Sequence, residues 1–262
     1  MPGLLSFHAH PDDEVIQAGG VLAATAAAGR PTMVVTATDG AEGEVHNYDD
    51  PEAIKPRLAE VRAEEMAAAM SILGVEQHVF LGYRDSGMMG ADSNFHPDCF
   101  WQADFDDAVG RLVSIIRRFR PEVMTIYDPY GGYGHPDHIQ VHRVGLAAFW
   151  AAADLARYPL QEGEEPWLVP KLYWSAWPRS RRRRFAEMQL EAGEITEEQF
   201  EQAANSGVPD ELLTLVDTRE WIDTKLKALR AHRSQIPEDW FMLRVDEDMR
   251  DEVVGLEAFY RV

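Results

Sequence analysis

Leu4-Leu5-Ser6-Phe7-His8-Ala9-His10-Pro11-Asp12-Asp13-Glu14 sets a short apolar run directly against a proline and three acidic residues. The apolar residues predict a buried strand over 4–8, and the abrupt change of character predicts a polar loop at its end. Residues 16–28 are alanine-rich and stop at Gly29, which predicts a helix with a glycine C-cap. The alternation then continues. Strands are expected over 32–37, 78–81, 123–127 and 172–174, and helices over 57–73, 105–119 and about 138–153, with Gly74 ending the first of these and Asp104 capping the second. Buried strands alternating with helices predict an α/β fold whose mostly parallel sheet is flanked by helices. Ligands of such sheets bind beyond the carboxyl ends of the strands. The loops after the first and fourth strands both lie at that edge.

The pattern changes from Pro178 onward, so residues 1–177 read as the catalytic core and 178–262 as a C-terminal segment packing on it or roofing the site. An acidic helix is expected over 187–204, a second helix over 218–232 capped by Thr218 or Asp217, and a strand over 257–262.

The 262 residues carry 25 Lys and Arg against 45 Asp and Glu, a formal charge of −20. Such a surface repels nucleic acid and anionic lipid. The arginines at 179 and 181–184 read as a solvated face or a helix end rather than a binding patch. No apolar run approaches the roughly 20 residues that span a bilayer. The single cysteine, Cys99, and the absence of a signal-peptide pattern point to a reduced, cytoplasmic protein, with a homo-oligomer left open.

Two constellations carry chemistry. His10-Pro11-Asp12-Asp13-Glu14 reads either as a capped turn or as an imidazole and a carboxylate facing one metal with a second carboxylate left over as a base. The residue spacing alone does not say which aspartate does which. Gly131-Gly132-Tyr133-Gly134-His135-Pro136-Asp137-His138 reads as a turn into a helix, or as two histidines at a helix start beside a flexible segment. His142 reads as a supporting or surface histidine, and His96 as part of an ordinary loop. Taken together the two constellations supply histidine and carboxylate ligands that suit zinc or ferrous iron and suit magnesium poorly. They also leave a carboxylate to take a proton from water and a histidine to meet developing charge, a set sufficient for amide hydrolysis.

As a pair, the strings His8-Ala9-His10-Pro11-Asp12-Asp13-Glu14 and Gly134-His135-Pro136-Asp137-His138 resemble the LmbE/PIG-L zinc deacetylases, over roughly residues 3–175. Within that superfamily the chain is most similar to the N-acetylglucosaminyl-inositol deacetylases of the mycothiol pathway. The similarity runs through Glu42-Gly43-Glu44-Val45, Arg84-Asp85-Ser86-Gly87-Met88, Tyr127-Asp128-Pro129-Tyr130-Gly131-Gly132-Tyr133 and Tyr173-Trp174. It departs at Val15-Ile16-Gln17, where small polar residues are expected, and in a shorter stretch between Gly43 and Arg62.

The resemblance implies a Rossmann-like core with a helical C-terminal segment and a zinc ion held by His10, Asp13 and His138. It makes Asp12 the general base, His135 a charge-stabilising acid held by Asp137, and Tyr133 the contact to the oxyanion. Arg62 and Asp85 then hold the sugar or its attached group, and Glu14 supports the ligands from behind. The implied reaction removes an N-acetyl group from a small amino-sugar derivative such as N-acetylglucosaminyl-inositol. An amidase of thiol S-conjugates would have the same metal site. A metal-dependent phosphoesterase would want a cationic pocket or a second metal.

Overall fold

In the computed structural model, which describes residues 3–191 and 193–262, seven strands form one sheet in the order β3-β2-β1-β4-β5-β7-β6. The strands are β1 Leu4–His8, β2 Thr32–Thr38, β3 Gln77–Tyr83, β4 Val123–Ile126, β5 Lys171–Ser175, β6 Leu213–Asp217 and β7 Leu256–Arg261. The helices are α1 Asp13–Ala27, α2 Pro51–Ile54, α3 Leu58–Leu73, α4 Phe105–Phe119, α5 Pro136–Ala151, α6 Arg179–Glu191, α7 Glu197–Ala204, α8 Ile222–Ala231, α9 Phe241–Arg244 and α10 Glu247–Val253. The first five strands run parallel, whereas β7 runs antiparallel to both β5 and β6.

All five residues of β1 are buried. Side chains alternate across a strand, so both faces of β1 must be covered. Leu5 and Phe7 join Met33 and Val35 of β2 against α4 and α5. Leu4 and Val34 face Val15, Ala18 and Leu22 of α1, Met66 of α3, and Leu226 and Leu229 of α8. The C-terminal segment thus lays a helix on this second face and, through β6 and β7, also extends the sheet.

The strand order reverses at β1, with β2 and β3 to one side and β4 and β5 to the other. The β1 and β4 chains are in direct register, Leu4 to Val123 and Ser6 to Thr125, so their following loops emerge side by side. That is the crevice in which doubly wound sheets hold ligands.

Differences from expectation have local causes. The first helix begins at Asp13, inside the motif, because Asp13 and Glu14 form its first turn. The expected helix over 187–204 is two helices, α6 and α7, the second started by a capping box of Thr196 and Gln199. Thr218 does not cap α8: its hydroxyl donates to the Gly255 carbonyl, and a 3-10 turn over Arg219–Trp221 precedes the helix. No described helix is long and apolar enough to cross a membrane.

Lys225 on α8 and Glu257 on β7 are both buried and meet at 2.6 Å. Glu257 also accepts from the backbone N–H groups of Gly20 and Val21 in α1. Breaking a buried pair by removing one partner typically costs about 3–5 kcal/mol. Glu257→Ala should lower the free energy of unfolding by that order in a denaturant titration. Glu257→Leu combined with Lys225→Met should lose clearly less. Equal losses would mean that the charges themselves contribute nothing special.

Candidate metal centre

Three buried donor atoms converge at the sheet's carboxyl edge. His10 Nδ1 and His138 Nε2 each lie 3.3 Å from Asp13 Oδ2, and the two nitrogens are 3.3 Å from each other. Three ligands of a tetrahedral ion bound at about 2.0–2.1 Å must stand about 3.3–3.4 Å apart. The triangle therefore has the size that such an ion demands, and this His/Asp/His group is able to hold a metal.

The outer nitrogen of each ring is already engaged, which directs the inner one to a metal. His138 Nδ1–H donates to the Gly131 carbonyl at 3.1 Å. Gly131 has φ 65°, and a Cβ there would stand 2.4 Å from His138 Cβ, so only glycine allows this approach. His10 Nε2–H donates to Asp137 Oδ2 at 3.2 Å, with Asp85 Oδ1 at 3.5 Å. Burial works against a charge on His10, but Asp85, Asp13 and Asp137 outweigh it and raise its pKa well above the usual value. Burial likewise opposes a charge on Asp13, yet His138 and His10 hold its carboxyl far below the ordinary range.

A buried polar chain braces the two loops from beneath. Thr125 Oγ1 and Ser6 Oγ are 2.5 Å apart, Ser6 Oγ is 2.6 Å from His8 Nε2, and His8 Nδ1 is 3.1 Å from the Tyr127 hydroxyl. Tyr127 also accepts from the Ala9 N–H and stacks on His138 at 4.4 Å between centroids. Burial lowers the His8 pKa to about 4, so this ring is neutral.

The remaining sequence-predicted residues surround the triangle. Asp12 faces Arg62, its Oδ2 accepting from Nη2 at 3.0 Å. Burial raises Asp12 to about 6, Arg62 pulling it down and Asp13 pushing it further up. Arg62 also donates to the carbonyls of Pro11 and Gly40, so its Nη1 and Nη2 hold the protein's own loops while the residue lines the cleft. Asp85 accepts from the N–H groups of Gly87 and Glu42. Tyr133 is 55% exposed, yet its hydroxyl reaches to 3.4 Å from His138 Nε2. Burial and the Asp13 charge push its pKa well above the ordinary value and keep the hydroxyl protonated. Glu14 accepts from the Asp12 N–H and from His232.

The expected support of His135 by Asp137 takes a different form. The Asp137 carboxylate turns to His10 and to the N–H and hydroxyl of Ser86. Only the Asp137 backbone N–H meets His135, donating to Nδ1 at 3.2 Å because His135 is the N-cap of α5. Burial, then His10 and His138, lower the His135 pKa to about 3. The ring is thus neutral, with its hydrogen on Nε2. His10, Asp85, His135 and Asp137 form a second cluster of donor atoms within 4.8 Å. Its two carboxylates accept from Gly87, Glu42 and Ser86 and lie 3.2 and 3.5 Å from His10 Nε2, on the far side of the ring from Asp13.

His142 is buried behind the site and donates to the Tyr127 carbonyl, and His96 joins neither cluster. Sequence reading gave no role to His8, Ser86 or His232. Ser86 and Tyr127 did stand inside quoted strings, whereas nothing near His232 marked it.

The triangle opens into a cleft of about 610 Å³. Asp12, Arg62, Asp85, Tyr133 and His135 line one part of it, and Ile16, Trp177, Trp240 and Phe241 another.

Residues 5–149 match the family model described as PIG-L, GlcNAc-PI de-N-acetylase. A Thermobispora bispora protein named 1D-myo-inositol 2-acetamido-2-deoxy-alpha-D-glucopyranoside deacetylase is 43% identical over 98% of this chain and 86% of its own length. A Catenulispora acidiphila protein, named deacetylase 1 of the same kind, is 45% identical over 89% of this chain and 75% of its own. Among solved structures, N,N'-diacetylchitobiose deacetylase from Pyrococcus horikoshii superposes with a TM-score of 0.69 at 22% identity, over 99% of this chain and 83% of that one, which speaks to the fold.

Replacing His10, Asp13 or His138 by alanine should strip most of the bound ion from dialysed protein, as read by elemental analysis. His96→Ala and His142→Ala should keep it. Loss in His142→Ala equal to that in His138→Ala would contradict this ligand set.

Proposed function

The chain belongs to the PIG-L family of GlcNAc-PI de-N-acetylases, and from that premise we propose that it is a zinc-dependent N-deacetylase of N-acetylglucosaminyl-inositol or a closely similar N-acetylglucosamine conjugate. One observation carries the reading: a carboxylate that is not needed as a ligand, Asp12, stands next to a ligand triangle of the right size. A protein that only stored metal would have no use for that acid.

His10 Nδ1, Asp13 Oδ2 and His138 Nε2 would hold the ion, which when bound would supply Lewis acidity toward the amide carbonyl and toward an attacking water. Asp12, raised toward neutrality by burial, accepts the proton of that water. Arg62 holds the Asp12 carboxylate in place and limits how far its basicity rises. The Tyr133 hydroxyl donates to the oxygen that gains charge as the carbonyl is attacked, an interaction that strengthens in the transition state. His135 acts as a neutral donor through Nε2–H rather than as a protonated acid, because its Nδ1 is occupied by the Asp137 N–H. Asp12 then gives the proton it took from water to the nitrogen as the C–N bond breaks, so that acetate and a free amine leave. A phosphoesterase reading gains no support, since the cleft's guanidinium, Arg62, is spent on Asp12 and two carbonyls.

The test is release of acetate and amine from N-acetylglucosaminyl-inositol by the zinc-loaded protein. Asp12→Asn should keep the ion and lose about 10²–10⁴ in kcat. Tyr133→Phe should lose about 10²–10³ in kcat with little change in KM. A Tyr133→Phe enzyme within about twofold of the parent would remove that hydroxyl from the mechanism, and an Asp12→Asn enzyme that loses its ion would exchange the roles of the two aspartates.

A further inference from the structure

Asp12 has φ 113° and ψ −34°, a backbone conformation that residues with a Cβ rarely adopt. Holding it stores backbone strain that the surrounding contacts must sustain. It stands at the N-cap of α1, where an aspartate ordinarily turns its side chain back onto the first helical N–H groups. Here it makes no such bond. Its carboxylate is turned out to Arg62 instead, 3.0 Å away. Its two neighbours take over the satisfaction of this turn. Asp13 Oδ2 accepts from the His10 N–H, and Glu14 Oε2 accepts from the Asp12 N–H, both at 2.9 Å.

Glu14 is fixed in turn from the far end of the chain. Its Oε1 accepts from His232 Nε2–H at 2.9 Å across 218 residues, and both side chains are fully buried. His232 follows α8, outside the residues 5–149 that match the family model. The loop that carries it is clamped in place. Ser234 gives its N–H and its hydroxyl to Glu65 at 2.8 and 2.7 Å, and its carbonyl accepts from the His46 N–H at 2.8 Å. The Gln235 side chain donates to the Glu44 carbonyl at 2.8 Å. As a stabiliser alone the His232–Glu14 pair is a poor choice. It desolvates two polar groups, and His232 Nδ1 is buried without a protein partner, which costs stability.

We propose that His232, acting through Glu14, is a positioning residue that holds the Asp12 backbone in the conformation leaving its carboxylate free to act as the base. The C-terminal segment thereby completes the catalytic apparatus of the core. The proposal rests on Asp12 being the base, as proposed above.

The experiment compares His232→Leu, His232→Asn and His232→Gln in the zinc-loaded full chain, with N-acetylglucosaminyl-inositol as substrate. Glutamine carries an amide N–H near the position of Nε2, whereas asparagine is too short to reach Glu14. Losing a partner that orients a metal-site group commonly costs about 10–100-fold. The leucine and asparagine variants should lose that much in kcat, keep KM within about twofold and keep the ion. The glutamine variant should stay within about fivefold of the parent. Hydrogen exchange of the segment 9–17 in metal-free protein should quicken in the leucine and asparagine variants and stay parental in the glutamine variant. Built on Asp12→Asn, His232→Leu should lower the residual rate by less than about twofold. A parental kcat in the leucine and asparagine variants, a matching loss of ion or rise in KM, or an equal loss in the Asp12→Asn background would each overturn the proposal alone. A parental kcat in Asp12→Asn itself would overturn the base assignment and this inference with it.

Discussion

Asp13 Oδ2 stands 3.3 Å from His10 Nδ1 and from His138 Nε2, in a place almost without solvent. Two imidazoles and a carboxylate held so close leave little choice of protonation, and most of the surrounding contacts fix that choice. The Gly131 carbonyl and the Asp137 carboxylate each take the hydrogen of an outer ring nitrogen. Both inner nitrogens are thereby aimed at one point beside Asp13. Gly131 follows from the same demand, since a side chain there would collide with His138. So does the stacking of Tyr127 on His138, which sets the plane of that ring.

The sheet makes the convergence inevitable once β1 and β4 pair in register. His10 and His138, 128 residues apart in sequence, become neighbours because their strands are neighbours. The two apolar faces are equally necessary. Leu5 and Phe7 seal one side of β1 and Leu4 the other, so the loops are carried on a rigid strand end. The residues proposed to handle charge during amide cleavage, Asp12, Tyr133 and His135, then sit at the starts of helices or on the loops before them, and Asp12 carries backbone strain.

Much of this was legible in the sequence, for physical reasons. A buried strand, an abrupt polar run and a glycine stop are local signals, and β1, α4 and the end of α3 at Gly74 follow them closely. The candidate triangle of His10, Asp13 and His138 was legible only through the family resemblance that the two motifs carry, because spacing alone left the two aspartates open. Residues whose roles come from distant partners were not. The bonds of Arg62 to Pro11, Asp12 and Gly40 were invisible in the sequence, since those residues belong to two distant loops. Asp137 looked like the support of its neighbour His135, but the N-cap geometry of α5 sends its carboxylate to Ser86 and His10. His232 follows an ordinary amphipathic helix, and its bond to Glu14 appears only once α8 packs on α1 and α3. β6 escaped notice because most of its residues are exposed, so it carries no buried apolar pattern.

Anomalous scattering from crystals of the zinc-loaded protein tests the central claim most directly, because it locates the ion without reference to activity. The account predicts one peak per chain, bounded by His10 Nδ1, Asp13 Oδ2 and His138 Nε2. A dominant peak on the other side of the His10 ring, among Asp85, His135 and Asp137, would contradict it.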